Sequence, residues 1–246
     1  MDADSGAVAE RQEPPTGPPA EPRQRWRIAF SRRPGAPQVT HRELADEWLA
    51  RLSTSGLPFP RTEGPKPRSP LTFAAPLPVG MAAEHEIADL VLADRRPVSE
   101  VRQAVLATMP DGTDLVDLFD VWLGSAPLAA CAAAADYRVR LVPSIADDDL
   151  ASAARSLLAA EALPRRRTRG TSEVDYDLRP LLDDIDVGED CLRIRTRFDP
   201  ARGAGRPEEV IAALEEAADH PLEVTEIVRE RVILVEELAA RPGRRG

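Results

Sequence analysis

Apolar residues in the first half of the chain alternate between the spacing of strands and the spacing of helices. Residues 25–30 place apolar side chains on one face of a predicted strand and arginines on the other. Thr40 and Glu43 stand at the spacing of a capping box, which predicts that a helix begins at His41, and Gly56 marks its end. The pattern continues as strand, strand, helix and strand, at residues 71–77, 86–92, 97–109 and 115–123.

The same order of elements recurs in the second half with different residues. An alanine-rich stretch, residues 125–135, predicts a helical linker between the halves. Beyond it, helices are expected to begin at Asp147 and Pro207. Strands are expected at residues 137–141, 191–198 and 224–235, with a further strand at either 163–169 or 174–182.

This repetition predicts an α+β fold made of two tandem ferredoxin-like βαββαβ units with mainly antiparallel sheets. Residues 1–24 contain many prolines and few large apolar residues, so they are predicted to be a disordered tail. The predicted organisation is then a first half at 25–124, the linker at 125–135, a second half at 136–238 and a flexible basic tail at 239–246.

Composition excludes several classes of protein. With 43% hydrophobic and 30% charged residues in 246, the chain is predicted to be soluble and globular. It has neither a long apolar run nor the pattern of a signal peptide, so a cytoplasmic protein without membrane contact is expected. A net charge of -10 disfavours binding nucleic acid by bulk phosphate neutralisation, although a local basic patch stays open.

Four stretches of sequence resemble one bacterial family. They are Thr-His-Arg-Glu at 40–43, Leu-Thr-Phe-Ala-Ala-Pro-Leu-Pro-Val-Gly at 71–80, Tyr-Asp-Leu-Arg-Pro at 176–180 and Gly-Arg-Pro-Glu-Glu-Val at 205–210. The chain resembles the radical SAM-associated domain of unknown function, which occurs alone or fused behind a radical SAM enzyme. That family usually carries Pro-His-Pro-Lys where residues 67–70 of this chain read Pro-Arg-Ser-Pro. The resemblance implies a radical SAM enzyme as partner.

The chain is not expected to hold the cluster of such an enzyme. A radical SAM cluster needs three closely spaced cysteine thiolates, and this chain has only Cys131 and Cys191. The same count predicts neither a disulfide framework nor a metal site, and no cofactor is expected. Radical chemistry would therefore come from the partner.

Six polar residues are candidates for binding an anionic ligand or partner. His41 lies in the first turn of a predicted helix, where the helix dipole favours a neutral imidazole that could bind a ligand or act as a base. The alternative is that His41 is an exposed residue of that first turn. Lys66 and Arg68 are cations in a proline-rich loop that restricts the backbone. Asp177 and Arg179 flank Leu178, and Arg206 precedes the start of a helix.

Each of these candidates has a structural alternative. The loop cations fit an ordinary solvated loop, and Asp177 with Arg179 fits a structural ion pair at the end of a strand. The stronger hypothesis is that the six residues meet in one pocket although they come from both halves.

Arginines at positions 193, 195 and 197 share one face of a predicted strand. Such a face fits an RNA-binding platform, but no aromatic residue is interleaved with the arginines for base stacking. Cross-strand pairing with Asp183, Asp184 and Asp186 is the preferred interpretation.

The leading hypothesis is a non-catalytic accessory or substrate-recognition protein that acts with a radical SAM enzyme supplied in trans. The sequence contains no catalytic triad order, P-loop, dinucleotide glycine motif or HExxH, so independent catalysis has no positive support. An autonomous RNA-binding module is the alternative. An enzyme with its site between the two halves is a third.

Overall fold

The fold was examined in a computed structural model that describes residues 22–60, 69–143, 145–169, 172–188 and 191–240. In the first half the elements are β1 (Gln24–Arg32), α1 (His41–Leu52), β2 (Leu71–Phe73), β3 (Ala82–Leu92), α2 (Val98–Thr108) and β4 (Thr113–Val121). They are followed by α3 (Leu128–Cys131), β5 (Ala132–Leu141), α4 (Asp147–Ala159), β6 (Pro164–Arg169), β7 (Ser172–Asp177), a 3-10 turn (Arg179–Leu181), β8 (Leu182–Val187), β9 (Cys191–Asp199), β10 (Gly203–Ala204), α5 (Pro207–Ala218), β11 (Val224–Leu234) and α6 (Val235–Ala240).

Nine of these strands form one continuous sheet. Its order is β10-β9-β5-β11-β3-β1-β4, with β2 beside β3 and β8 beside β9, while β6 and β7 form a separate hairpin. All the pairs are antiparallel except β11 with β3, which are parallel. This parallel pair joins the two halves, and the α+β class with a mainly antiparallel sheet is confirmed.

The helices α1, α2, α4 and α5 cover one face of the sheet. Trp48 and Leu52 of α1 pack with Val101 of α2 against β1 and β3, and the second half packs α4 and α5 on β5, β8 and β9 in the same way. Leu77 comes from the first half but is buried in the core of the second half. The two cores are therefore physically joined.

The opposite face, which we call the open face, is covered only in part. Ala29 and Ile87 point to this side and pack with Leu128 of α3 and with Val232 and Leu234 of β11. Beyond that small apolar cluster the open face carries charged side chains. In the described part of the chain, no helix combines the length and hydropathy needed to span a membrane.

Two local predictions differ from the structure. The strand expected at 71–77 ends at Phe73, because Pro76 and Pro78 cannot donate to a strand ladder. The linker expected to be helical at 125–135 has only four helical residues, since Ala132 already belongs to β5. Its alanines lie between β9 and β11, where a small side chain fits and strand pairing outweighs helix propensity.

The sequence leaves two alternatives open for the strand within residues 163–182. Both alternatives there exist, as β6 and β7, but they pair with each other outside the main sheet. The strand that completes the second half is β8, which pairs with β9. Hairpin and sheet strands share the same alternation, so the sequence pattern does not separate them.

Candidate functional site

His41 lies where the first two family-like stretches meet. Thr40 and Glu43 form the predicted capping box: the Thr40 backbone N–H donates to Glu43 Oε2 at 2.7 Å, and the Glu43 N–H donates to Thr40 Oγ1 at 3.2 Å. This cap fixes His41 as the first residue of α1, and its ring packs edge-on to Phe73 with centroids 5.0 Å apart. Its Nδ1 atom is buried and, among the described residues, has no hydrogen-bond partner.

The surroundings of His41 favour the neutral imidazole. Burial lowers the pKa of His41 below its ordinary value, and the charge of Arg229 lowers it further, while Glu86 opposes the shift. A neutral imidazole has one donor and one acceptor nitrogen. His41 therefore has one hydrogen bond to offer that the described part of the protein does not satisfy.

Beside His41 a buried ion pair joins the two halves. Arg229 of β11 and Glu86 of β3 have side chains that are 1% and 3% exposed, and the guanidinium contacts the carboxylate through two nitrogens, Nε at 2.6 Å from Oε1. Arg229 also donates to the Pro76 carbonyl at 2.8 Å. We use "seam" for this junction, defined by Glu86, Arg229 and residues 74–81.

Burial alone would lower the pKa of Arg229, but the charge and hydrogen bonds of Glu86 raise it above the ordinary value. Tyr137 of β5 stands opposite Arg229 in the strand register and lies close to both Arg229 and Thr196. Burial raises the pKa of Tyr137. In the seam, Arg229 is bonded to Glu86 and to the Pro76 carbonyl, and Tyr137 lies beside this pair.

The contacts continue from the seam to the last family-like stretch. Thr196 Oγ1 donates to the Gly205 carbonyl at 2.9 Å. A Cβ at Gly205 would lie 2.6 Å from the Leu181 carbonyl oxygen and 2.9 Å from Thr196 Cβ, so only glycine fits this close approach. Gly205 thereby ties the start of α5 to the 3-10 turn.

Asp177 and Arg179 are taken up in backbone hydrogen bonds. Asp177 Oδ1 accepts from the N–H of Leu163 at 2.7 Å and from the N–H of Arg179 at 3.0 Å. The Arg179 guanidinium donates to the carbonyls of Leu182 and Leu158, at 2.8 and 2.7 Å. The extended geometry expected for this segment ends at Asp177, because Pro180 fixes a φ that suits the first turn of a 3-10 helix. No ion pair between the two side chains results.

Arg206 is the residue before α5 and is exposed, with no capping hydrogen bond from its side chain. It lies near Tyr176. The Arg167 guanidinium stacks over the Tyr176 ring, with Cζ 4.4 Å from the ring centroid. Burial and the neighbouring Glu209 raise the pKa of Tyr176. The third and fourth family-like stretches therefore meet at Tyr176, Arg206 and Glu209.

The structure brings the predicted residues together in two groups. His41 sits over the seam, whereas Asp177, Arg179 and Arg206 surround the start of α5. In the described part of the chain, no hydrogen bond or ion pair links His41 to those three residues. Lys66 and Arg68 lie outside the described residues.

The arginines of β9 point to the open face, where Arg195 and Arg197 are paired, while Arg193 is exposed and forms no ion pair with a described residue. Arg197 Nε donates to Asp183 at 2.8 Å, as the preferred interpretation expects. Arg195 bonds instead to Asp136, which also accepts from Arg231 at 2.9 Å. Burial would raise the pKa of Asp136, but hydrogen bonds from these two arginines lower it below the ordinary value.

Sequence reasoning missed Glu86, Arg229 and Tyr137. The available signal was a charged residue at an inward position of a buried strand: Glu86 stands opposite Phe30, which is a core residue. The sequence contains no indication that the partner of Glu86 lies in the last strand. Within the described ranges, no group of three His, Cys, Asp or Glu side chains is placed to hold a metal ion.

Comparison with solved structures gives only distant similarity. A chain of a crystallised Cbf5-Nop10-Gar1 complex aligns with a TM-score of 0.41 and 11% identity over 83% of this chain and 48% of that chain. A chain of the archaeal box H/ACA sRNP Nop10-Cbf5 complex aligns with a TM-score of 0.38 and 11% identity over 83% and 47%. This chain thus spans about half the length of those chains, and similarity at this level carries no conclusion about fold or function.

Among curated proteins, no sequence matches this chain. A family of bacterial proteins, described as "Uncharacterized protein conserved in bacteria (DUF2344)", matches residues 25–207. The match includes β1 to β9 and extends to the first residue of α5, with three family-like stretches complete and the fourth in part. The chain therefore belongs to the DUF2344 family.

Proposed function

We propose that this protein is a non-catalytic accessory or substrate-recognition protein that acts with a radical SAM enzyme supplied in trans, binding that enzyme or its substrate. The observation that carries the proposal is the contrast at the seam. Arg229 is bonded to Glu86 and to the Pro76 carbonyl, and Thr196 is bonded to the Gly205 carbonyl, whereas His41 Nδ1 has no partner in the described part of the chain. An unsatisfied polar atom beside an internally bonded ion pair is a candidate contact for recognition.

The radical SAM partner is supported by the resemblance of the four stretches. The arrangement of the cysteines agrees with a cluster held by another chain. Cys131 precedes the first residue of β5, and Cys191 pairs with Arg140 near its other end, so about 30 Å of strand separates them. Both thiols are free, which fits the reducing cytoplasm that we propose as the location.

We also propose that each half is a ferredoxin-like unit. The strand order supports this: β4-β1-β3-β2 in the first half corresponds to β11-β5-β9-β8 in the second. In each half the helices follow the first and third strands of the unit. Superposing the two halves on a common four-stranded sheet in an experimental structure tests this proposal.

An RNA-binding module is the alternative, and the open face gives it little support. Its arginines at positions 195 and 197 are bonded to Asp136 and Asp183, which would have to be displaced by phosphates. Phosphate contacts therefore compete with intramolecular pairs. The affinity purification described next also detects bound RNA and so distinguishes this alternative.

The test is affinity purification of the native protein with identification of bound protein and RNA in the same sample. We expect a co-purifying chain that contains iron and cleaves SAM, while the isolated protein does neither. His41→Ala should weaken retention of that chain by about tenfold, the effect of one lost hydrogen bond to a buried group. His85→Ala is the matched control, because His85 is an exposed residue of β3.

Retention of the same partner at unchanged affinity by His41→Ala would show that the seam is not the recognition site. Recovery of RNA without any iron-containing chain would favour the RNA-binding alternative. SAM cleavage by the isolated protein would contradict a non-catalytic role.

A further inference from the structure

The outer edge of β4 is a second surface with the properties of a docking site. β4 is the terminal strand of the nine-stranded sheet, and within the described ranges no strand lies beyond it. It has nine residues and pairs with a neighbouring strand on one side only, while its Leu118 N–H donates to Asp117 Oδ1 at 2.7 Å. Exposed edges of this kind are templates for pairing with another strand.

Apolar side chains are concentrated at this edge. Nine large apolar side chains are exposed in the described part of the chain, and three of them belong to β4 or follow it directly. Val116 and Phe119 belong to β4 and are 47% and 44% exposed, and Trp122, which follows the strand, is 78% exposed. None of the nine lies in β8 or β10, at the opposite edge of the sheet. The two edges are therefore chemically different.

The loop that carries Trp122 is fixed in place. Arg25 donates to the carbonyls of Leu123, Ser125 and Ala126, at 2.8, 2.9 and 3.1 Å. The indole lies against Gly124, where an added Cβ would be 2.6 Å from Trp122 Cζ2. Trp122 is thus a preordered aromatic side chain that offers a large contact area at low entropic cost.

The edge is also acidic. Asp114, Asp117 and Asp120 all belong to β4, and the side chains of the first two are 57% and 58% exposed. Each has an intramolecular neighbour: Asp114 lies 3.3 Å from Arg33, Asp117 lies 3.7 Å from Arg102, and Asp120 accepts from Gln24 at 3.2 Å. Gln24 is uncharged, so the three aspartates exceed the two arginines.

We propose that the outer edge of β4 binds an extended segment of a partner protein that carries basic and apolar residues on each of its faces. Asp117 and Phe119 share one face of β4 and Asp120 lies on the other, so the segment would add a strand whose apolar side chains contact Phe119 and Trp122 and whose cations face the aspartates. This inference is independent of the proposed function, because it concerns the sheet edge and not the seam.

A second copy of this chain is a poor occupant. If β4 paired antiparallel with its own copy along its whole length, Asp117 would face Asp117 and Asp114 would face Asp120. Like charges directly opposite each other destabilise a strand pair. The sequence of the edge therefore works against self-association.

The terminal stretches of the chain also lack the required composition. Residues 1–21 contain five acidic residues and one basic residue, which would repel the acidic edge. Residues 241–246 read Arg-Pro-Gly-Arg-Arg-Gly, which is basic but has no large apolar side chain for Trp122. A segment of another protein is the occupant that fits both features.

The full chain is tested with a short blocked peptide that repeats Arg-Arg-Val-Val, which places both residue types on each face of an added strand, and with the same peptide carrying glutamate in place of arginine. We expect the basic peptide to bind and to slow hydrogen exchange at the amides of Thr113–Val121, and the acidic peptide to bind at least about tenfold more weakly. Raising the salt concentration should weaken binding of the basic peptide.

Two variants locate the interaction. Asp117→Lys combined with Asp120→Lys should reverse the preference between the peptides, and Asp186→Lys on β8 is the matched control at the other edge. Phe119→Thr combined with Trp122→Gln should weaken binding of the basic peptide by about tenfold or more. Val174→Thr is its control, because Val174 is an exposed strand residue of the β6–β7 hairpin.

Equal binding of both peptides, protection at amides other than those of β4, or an unchanged preference in the charge-reversed variant would overturn the proposal. A dimer in sedimentation analysis that dissociates on Phe119→Thr with Trp122→Gln would also overturn it, since the occupant would then be a second copy. The unfolding midpoint of each double variant must differ from that of the parent chain by no more than the midpoint of its control variant does.

Discussion

In the seam, the side chains of Arg229 and Glu86 are 1% and 3% exposed, whereas on the open face Asp136, Arg195 and Arg231 keep 18%, 23% and 30% of their surface in solvent. Both regions pair arginine with a carboxylate across strands. They differ in how much water each charge has lost. The attraction within a buried pair is largely offset by the cost of removing both charges from water, so the pair has little net effect on stability. Removing one partner is nevertheless strongly destabilising, because the other charge then stays buried alone. A solvated pair also contributes little, but the charge that remains after a substitution is hydrated, so the loss of stability is small.

The largest expected effect is at the seam. Arg229→Met leaves Glu86 buried without its partner, so we expect the free energy of unfolding to fall by about 3–5 kcal/mol. Urea unfolding followed by fluorescence measures it. The double variant Arg229→Met with Glu86→Leu should recover much of the loss, because no uncompensated charge then stays buried. A loss below about 1 kcal/mol in the single variant would contradict a desolvated pair.

A smaller effect is expected at the centre of the open face. Asp136→Ala removes a half-buried carboxylate that accepts from Arg195 and Arg231. Because both arginines can turn to water, we expect a loss of about 1–3 kcal/mol. High salt should reduce the difference between this variant and the parent chain, but should leave the Arg229→Met difference nearly unchanged. If salt changed the stability differences of Asp136→Ala and Arg229→Met equally, the open face and the seam would not differ in solvent screening.

The pH dependence of stability probes the edge of the seam through His41. Its pKa in the folded protein is lowered from 6.5, so the folded state resists protonation more than the unfolded chain does. Stability should therefore be fully present above pH 6.5, and should fall as the pH drops from there through the lowered pKa. His41→Gln should remove this part of the decline, and His85→Gln should keep it. An identical profile for both variants would exclude His41 as the cause.

The smallest effect is expected at the margin of the open face. The side chain of Arg197 is 46% exposed, and its partner Asp183 is 21% exposed. Arg197→Ala should reduce the free energy of unfolding by about 0.2–1 kcal/mol, as for other solvated pairs. A loss as large as that of Arg229→Met would mean that burial does not decide the strength of these pairs.

Much of the secondary structure was predictable because it depends on local chemistry. The capping box placed the start of α1 at His41, and Pro207 with its glutamates placed the start of α5. The period-two pattern of Trp26, Ile28 and Phe30 identified β1 as a strand with one buried face. These signals involve residues a few positions apart, so neighbouring sequence is sufficient to read them.

Predictions failed where a distant contact outweighs local preference. Ala132–Ala135 have high helix propensity but extend into β5, because they are paired with β9 and β11. For the candidate site the sequence predicts one pocket of six residues, and that pocket stays a prediction. What local sequence does not reveal is that Asp177 and Arg179 bond to backbone groups around the 3-10 turn.

The amino-acid sequence was enough to predict the α+β class, most of the helices and strands, and the Arg197–Asp183 pair on the open face. These follow from side-chain periodicity, caps and charge alternation, which act over short distances along the chain. The single sheet that both halves share through the parallel pair β3–β11, and the contact between Glu86 and Arg229, are known only from the folded structure. Those residues are 143 positions apart, and a buried charge does not specify its partner until the chain has folded around it.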